Sequence, residues 1–149
     1  MLHASCHCGA VRLEISRKPR TLTECNCSIC GRLAARWAYY SAKSVRVLCN
    51  PGVLQAYVYK NGTFEYNHCK ICGCVTHYRR INTSNNERIA VNSRMMAPDD
   101  VTSIKVITLY IRKASNRPCG PQAPRRRVGV WAFRCPFPPI LDSFINRVF

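Results

Sequence analysis

Cys25-Asn26-Cys27-Ser28-Ile29-Cys30 places three thiols within six residues, and the other cysteine clusters of the chain read as support for that segment. Upstream lies Cys6-His7-Cys8-Gly9, and downstream lies Cys69-Lys70-Ile71-Cys72-Gly73-Cys74. Each flanking cluster offers two thiols as a clamp. Residues two apart on an extended segment share a face, so Cys6 and Cys8 can chelate one ion. Cys69 and Cys72 have the spacing of a zinc knuckle, in which a tight turn ending near Gly73 brings two sulfurs together. A structural zinc is closed by four protein ligands, whereas a catalytic zinc commonly has three and keeps one position for water or substrate. Joining the two clamps would make a closed four-thiolate site and leave Cys25, Cys27 and Cys30 for a second ion with an open fourth position. Spacing alone leaves the pairing open.

The competing reading is a disulfide framework. Eleven cysteines in 149 residues is an odd count, and the short spacings keep most of them from pairing locally. Residues 1–10 lack the apolar run of a secretory signal, and no transmembrane segment is visible, so the expected setting is a reducing cytoplasm where disulfides are out of place. Metal binding is the favoured use of the three clusters. Cys49, Cys119 and Cys135 stand alone and read as uninvolved thiols, while Cys74 lies close enough to the knuckle to exchange with Cys72.

Three motifs in order, Cys-His-Cys-Gly-Ala-Val at 6–11, Cys-Asn-Cys-Ser-Ile-Cys-Gly at 25–31 and His-Cys-Lys-Ile-Cys-Gly at 68–73, resemble the glutathione-dependent formaldehyde-activating enzymes, a family that also includes centromere protein V. Three spaced motifs are far more specific than one knuckle. The resemblance covers residues 4–112. It implies a mainly β fold of the zinc-stabilised β-tent type, built of short antiparallel strands and hairpins. It also implies two zinc ions per chain, a structural one at Cys6, Cys8, Cys69 and Cys72 and a catalytic one at Cys25, Cys27 and Cys30. The implied chemistry is that of a carbon–sulfur lyase: reversible addition of a small thiol such as glutathione to formaldehyde or another aldehyde.

Periodicity supports a β-rich chain independently of that resemblance. Val11, Leu13 and Ile15 alternate with Arg12 and Glu14, which predicts a half-buried strand within 9–16 leaving the first clamp. Residues 17–20 contain Pro19 and read as a turn. Residues 22–24 run extended into the three-thiol segment, and Gly31 is expected to let the chain leave it through a conformation closed to most residues. Trp37 and Tyr39, in the aromatic run of 33–40, read as core packing ahead of a pocket wall. Further strands are expected at 45–48, 54–59, 75–81, 88–92 and 103–111, the last alternating well enough to close the sheet. Asn61-Gly62 between two apolar runs is the strongest hairpin signal, and the returning strand delivers His68 and Cys69 to the knuckle. Residues 97–100 suggest a turn or one helical turn. No long amphipathic helix and no internal repeat are visible.

The chain divides at residue 112. Residues 113–149 hold most of the prolines and the run Arg125-Arg126-Arg127, with Asp142 the sole acidic residue; they read as a basic, proline-rich extension, by default disordered, with Trp131, Phe133 and Phe137 as its candidate packing residues. Formal charge is +16, and such a balance first suggests an anionic partner. Residues 1–112 contribute 16 Lys+Arg and 6 Asp+Glu, and the extension 7 and 1. The charge is therefore spread through the domain, and no nucleic-acid motif accompanies it. A zinc-stabilised module binding nucleic acid or another acidic partner is the alternative to the enzyme reading. Arg32, Arg36, Arg79 and Arg80 are candidates to receive the carboxylates of glutathione. His68, His77 and Tyr78 flank the knuckle; a general-base role is weighed against hydrogen bonding to a sulfur or carbonyl, which is favoured. His7 sits between two ligands and should point away from them.

Overall fold

The computed structural model describes residues 1–60, 62–81 and 88–111. The extension from 113 and the loop expected at 82–86 lie outside the described residues. The chain runs β1 (Leu2–Ser5), β2 (Val11–Ile15), β3 (Leu22–Cys25), α1 (Ser28–Leu33), β4 (Arg36–Ser41), β5 (Val45–Cys49), β6 (Leu54–Tyr59), β7 (Phe64–Cys69), β8 (Val75–Arg80), β9 (Arg88–Asn92), α2 (Pro98–Val101) and β10 (Val106–Leu109), with 3-10 turns at Ala42–Ser44 and Ser93–Met95. The fold is mainly β, and its strands pair antiparallel apart from β10 with β3.

Among the described residues, three strands form one sheet in the order β1-β2-β5, and seven form another in the order β10-β3-β4-β9-β8-β7-β6. In β2 the alternation is expressed as expected, with Val11, Leu13 and Ile15 fully buried. The β6–β7 hairpin pairs Tyr59 with Phe64 and turns through Lys60 and Gly62, both at positive φ. The Thr63 amide closes that turn by donating to Tyr59 and Lys60 carbonyls. Asn61 lies outside the described residues. A register shift between Asn67 and His68 in the β7–β8 pair re-aims the strand just before Cys69, as bulges do.

The seven-stranded sheet buries different cores on its two faces. Residues directly opposite in an antiparallel pair lie on one face, and successive residues lie on opposite faces. Ala38 pairs with Val91 and Tyr40 with Ile89; these side chains join Leu2, Ala4, Val11, Leu13, Ile15 and Leu22 in the main core. Trp37 and Ala90 face the other way and form a second core with Cys30, Ala35 and Tyr66. Each cysteine cluster is rooted in a different core: Cys6 and Cys69 are buried in the first, Cys30 in the second.

One strand is not read from the sequence, and three readings are corrected. Strand β1 pairs with β2 from Leu2↔Ile15 to Ser5↔Arg12 although its four residues carry little signal. Gly31 does not take the conformation expected of it: residues 28–33 form a short helix with Gly31 inside it and not at positive φ, and the left-handed residue that ends the helix is Ala34 at φ +46. Strand β10 runs parallel to β3 at the sheet edge; all four of its residues are exposed, so it extends the sheet instead of closing it. Tyr39 is 41% exposed; it shares a face with Trp37 but lies nearer the edge of the second core, and its hydroxyl accepts from Tyr78 at 3.1 Å.

Candidate metal centres

Cys6 and Cys8 sit in the turn of the β1–β2 hairpin, not on an extended segment. The Gly9 amide donates to the Cys6 carbonyl at 3.0 Å, and Gly9 takes φ +75, a conformation that favours glycine because it has no Cβ. The tight turn curls Cys8 back over Cys6, and the two sulfurs lie 3.6 Å apart. The Val11 amide donates to the Cys6 sulfur at 3.3 Å, which holds it inward. At the other end, Cys69 closes β7, and the Gly73 amide donates to its carbonyl at 2.8 Å with Gly73 at φ +74. The Cys69 amide donates to the Cys74 carbonyl, completing the knuckle turn.

These two turns, from different sheets, meet at their thiols. Cys8 and Cys69 sulfurs are 3.7 Å apart, and the sulfurs of Cys6, Cys8, Cys69 and Cys72 all lie within 4.8 Å of one another. Four thiolates around a zinc at about 2.3 Å have sulfurs about 3.8 Å apart, so the group has the dimensions of a tetrahedral thiolate site. The crowding of the sulfurs favours a cation there as well. Amides of Cys74 and Cys8 pull Cys72 down to about 5. The Ala10 amide pulls Cys8 the same way, but burial and the neighbouring Cys6, Cys72 and Cys69 sulfurs drive it up to about 12. Packed sulfurs resist ionising together, and a bound cation removes that conflict. Cys74 packs beside this group without joining it, and His7 is exposed and outside it.

The second group is built on one short segment. Cys25 ends β3, and because Thr23 pairs with Trp37, Cys25 lies on the Trp37 face. Cys27 caps α1 and Cys30 lies in its first turn, so the helical turn brings their sulfurs back toward Cys25. All three sulfurs lie within 4.8 Å of one another. Cys30 is 6% exposed, whereas Cys25 and Cys27 are half-buried. Burial pushes Cys27 up, but the backbone amides of Cys30 and Ile29 and the neighbouring thiols outweigh it and lower its pKa. Cys25 is raised by burial and by Cys27. Cys30 is pushed up to about 12, first by burial, against the pull of Trp37.

Sequence reasoning missed two supports of this segment. Asn26, between the first two thiols, is tied to the edge strand: its amide donates to Leu109 at 3.2 Å, and its side-chain oxygen accepts from Ile111 at 2.8 Å. The parallel β10 thus holds the thiol segment from outside. The signal available was the asparagine itself, a residue suited to bonding backbone in turns. Trp37 is 1% exposed, and its indole N–H donates to the Cys30 sulfur at 3.2 Å. It is core, as expected, and also wall.

An aromatic layer surrounds that wall. The Trp37 ring meets Tyr78 edge-on at 4.7 Å and Tyr66 at 6.0 Å, and Phe64 and Tyr59 continue the layer. His77 is excluded from it: His77 pairs with Val91 and therefore faces the main core, on the opposite side from Trp37. Burial holds it neutral, near 4, with Nδ1 3.0 Å from the Thr76 hydroxyl, so its partner is a hydroxyl rather than a sulfur or carbonyl. His68 is half-buried on β7.

The same register sorts the candidate arginines. Arg36 pairs with Glu24 on the face away from the three thiols and donates to its carboxylate at 2.8 Å. Arg79 faces Glu65 at 3.3 Å. Arg32 donates to the Ser28 carbonyl at 2.7 Å. Arg80 pairs with Phe64 on the three-thiol face, its guanidinium 5.7 Å from the ring centre.

All nine cysteines among the described residues are free thiols, and no helix among those residues is long and apolar enough to cross a membrane. The fold is similar to a crystal structure of a Rhodobacter sphaeroides protein, with a TM-score of 0.59 and 29% sequence identity over 71% of this chain and 100% of that one. A family model described as glutathione-dependent formaldehyde-activating enzyme matches residues 1–112. A match over that much of the sequence, together with the gathered thiols, places the chain in the glutathione-dependent formaldehyde-activating enzyme family.

Proposed function

We infer that this protein is a zinc-dependent carbon–sulfur lyase that catalyses the reversible addition of a small thiol, glutathione or a close relative, to formaldehyde or another aldehyde. In this reading Cys6, Cys8, Cys69 and Cys72 hold a structural zinc, and Cys25, Cys27 and Cys30 hold a catalytic one. Residues 1–112 form the catalytic domain, and residues 113–149 are an extension. The observation that carries the reading is the contrast between the two groups: four sulfurs drawn from two distant turns, and three on one segment with two of them reaching solvent.

A zinc at the three-thiol centre supplies stabilisation of a substrate thiolate at neutral pH, as zinc does for hydroxide. The protein's own part is positional. Asn26 and α1 fix the three sulfurs, and the aromatic layer excludes water from one side of the site, which strengthens electrostatic interactions within it. Arg80 stands on that face with its guanidinium over the Phe64 ring, suited to receive a carboxylate of the thiol substrate.

Binding of glutathione and S-methylglutathione to the zinc-loaded protein tests the reading by calorimetry. A thioether is a poor zinc ligand, so the methylated compound should bind much more weakly. Equal binding would argue against a thiol-receiving metal.

A further inference from the structure

We propose that Trp37 is a positioning residue for the three-thiol centre: its indole N–H fixes the Cys30 sulfur facing Cys25 and Cys27 and draws electron density from it, leaving a metal held there receptive to a further thiolate. The proposal rests on the metal reading above and adds a specific role for a residue outside the ligand set.

The geometry limits the alternatives. An indole N–H buried away from water requires an acceptor, and the acceptor of this one is the Cys30 sulfur at 3.2 Å. The ring has little freedom to choose another. Tyr78 and Tyr66 hold it edge-on, and its backbone lies in the interior of the seven-stranded sheet, opposite Thr23 on one side and Asn92 on the other. Asn92 is itself buried, and its side chain joins three segments, accepting from the Arg36 and Arg94 amides and donating to the Val75 carbonyl. The donor is therefore set by the sheet, while Cys30 is carried by a six-residue helix. A hydrogen bond between them ties the helix-borne sulfur to the sheet.

The electronic consequence follows from the same contact. A donor to a ligating sulfur is stronger when the sulfur carries charge, and outer contacts of this kind tune both ligand orientation and the metal's demand for other ligands. Cys30 is the buried member of the three, and Cys25 and Cys27 are the half-buried ones. Cys30 is thus the anchored ligand, and exchange of a substrate thiol is expected on the Cys25–Cys27 side.

The test uses full-length protein loaded with cobalt, read as difference spectra against Cys27→Ser to remove the four-thiol contribution. Two variants are compared with the parent: Trp37→Phe, and replacement of Trp37 by 3-benzothienylalanine, which keeps the indole shape and lacks the N–H. The expected result for both is a shift of the sulfur-to-cobalt charge-transfer bands to lower energy and roughly tenfold weaker cobalt binding at the three-thiol centre. Should Trp37→Phe fail to fold by circular dichroism, the isosteric variant carries the comparison. Unchanged bands and affinity in the isosteric variant would show that Trp37 only packs, and unfolding of that variant would show that the N–H serves the fold; either overturns the proposal. Absence of three-thiol bands in the parent would overturn the metal reading and this proposal with it, an outcome distinct from bands that are present and identical.

Discussion

At the scale of single residues, His77 gives the clearest prediction because its environment decides its charge. It is buried on the main-core face, and burial first, then the Arg79 charge, depress its pKa to about 4 from an ordinary value near 6.5. The folded state therefore refuses a proton that the unfolded chain accepts. The contribution of neutral His77 to stability is full above about pH 6.5 and is lost as pH falls toward 4, amounting to about 3 kcal/mol over that window. Metal loss in acid acts in the same direction, so the measurement is comparative: denaturant unfolding of the parent and His77→Gln at several pH values. The variant should lose less stability between pH 6.5 and 4; parallel pH profiles would contradict the assignment. The types of the site residues were legible in the sequence, since cysteine spacing is visible without a fold. The roles of Trp37 and His77 were not, because both lie on strands buried on two faces, where apolar neighbours on either side hide which face a residue takes.

Among the elements, the long-range consequences sit in short ones. Strands with clean alternation, such as β2, and those bounded by turn residues, such as β6 and β7, could be read directly. Helix α1 could not: six residues with a central glycine carry too little periodicity to distinguish one helical turn from a loop. Yet α1 is what closes the three thiols on one another. It ends at Ala34, a residue with a Cβ held at φ +46, where glycine is normally preferred. Ala34→Gly should relieve that strain and stabilise the protein by roughly 1 kcal/mol, a rise in melting temperature of about 3–5 °C. An unchanged or lower melting temperature would mean that the left-handed conformation costs nothing here.

Across the whole molecule, one sheet separates two cores, and each core anchors one thiol group. The groups differ in what they connect. Cys6 and Cys8 are more than sixty residues from Cys69 and Cys72, so metal binding there closes a long loop and couples directly to folding. Cys25, Cys27 and Cys30 belong to one segment, and metal there cross-links little. Net charge of +16 bears on solubility and on encounter with anionic substrates rather than on the fold. The central claim, that one centre is structural and the other is the reactive one, is tested most directly by zinc content per chain, read beside circular dichroism, in the parent, Cys69→Ser and Cys27→Ser, all purified without added zinc. The account predicts about two zinc ions in the folded parent, one for each thiol group, an aggregated or unfolded Cys69→Ser, and a folded Cys27→Ser holding about one. A folded Cys69→Ser beside an unfolded Cys27→Ser would contradict it and reverse the two roles.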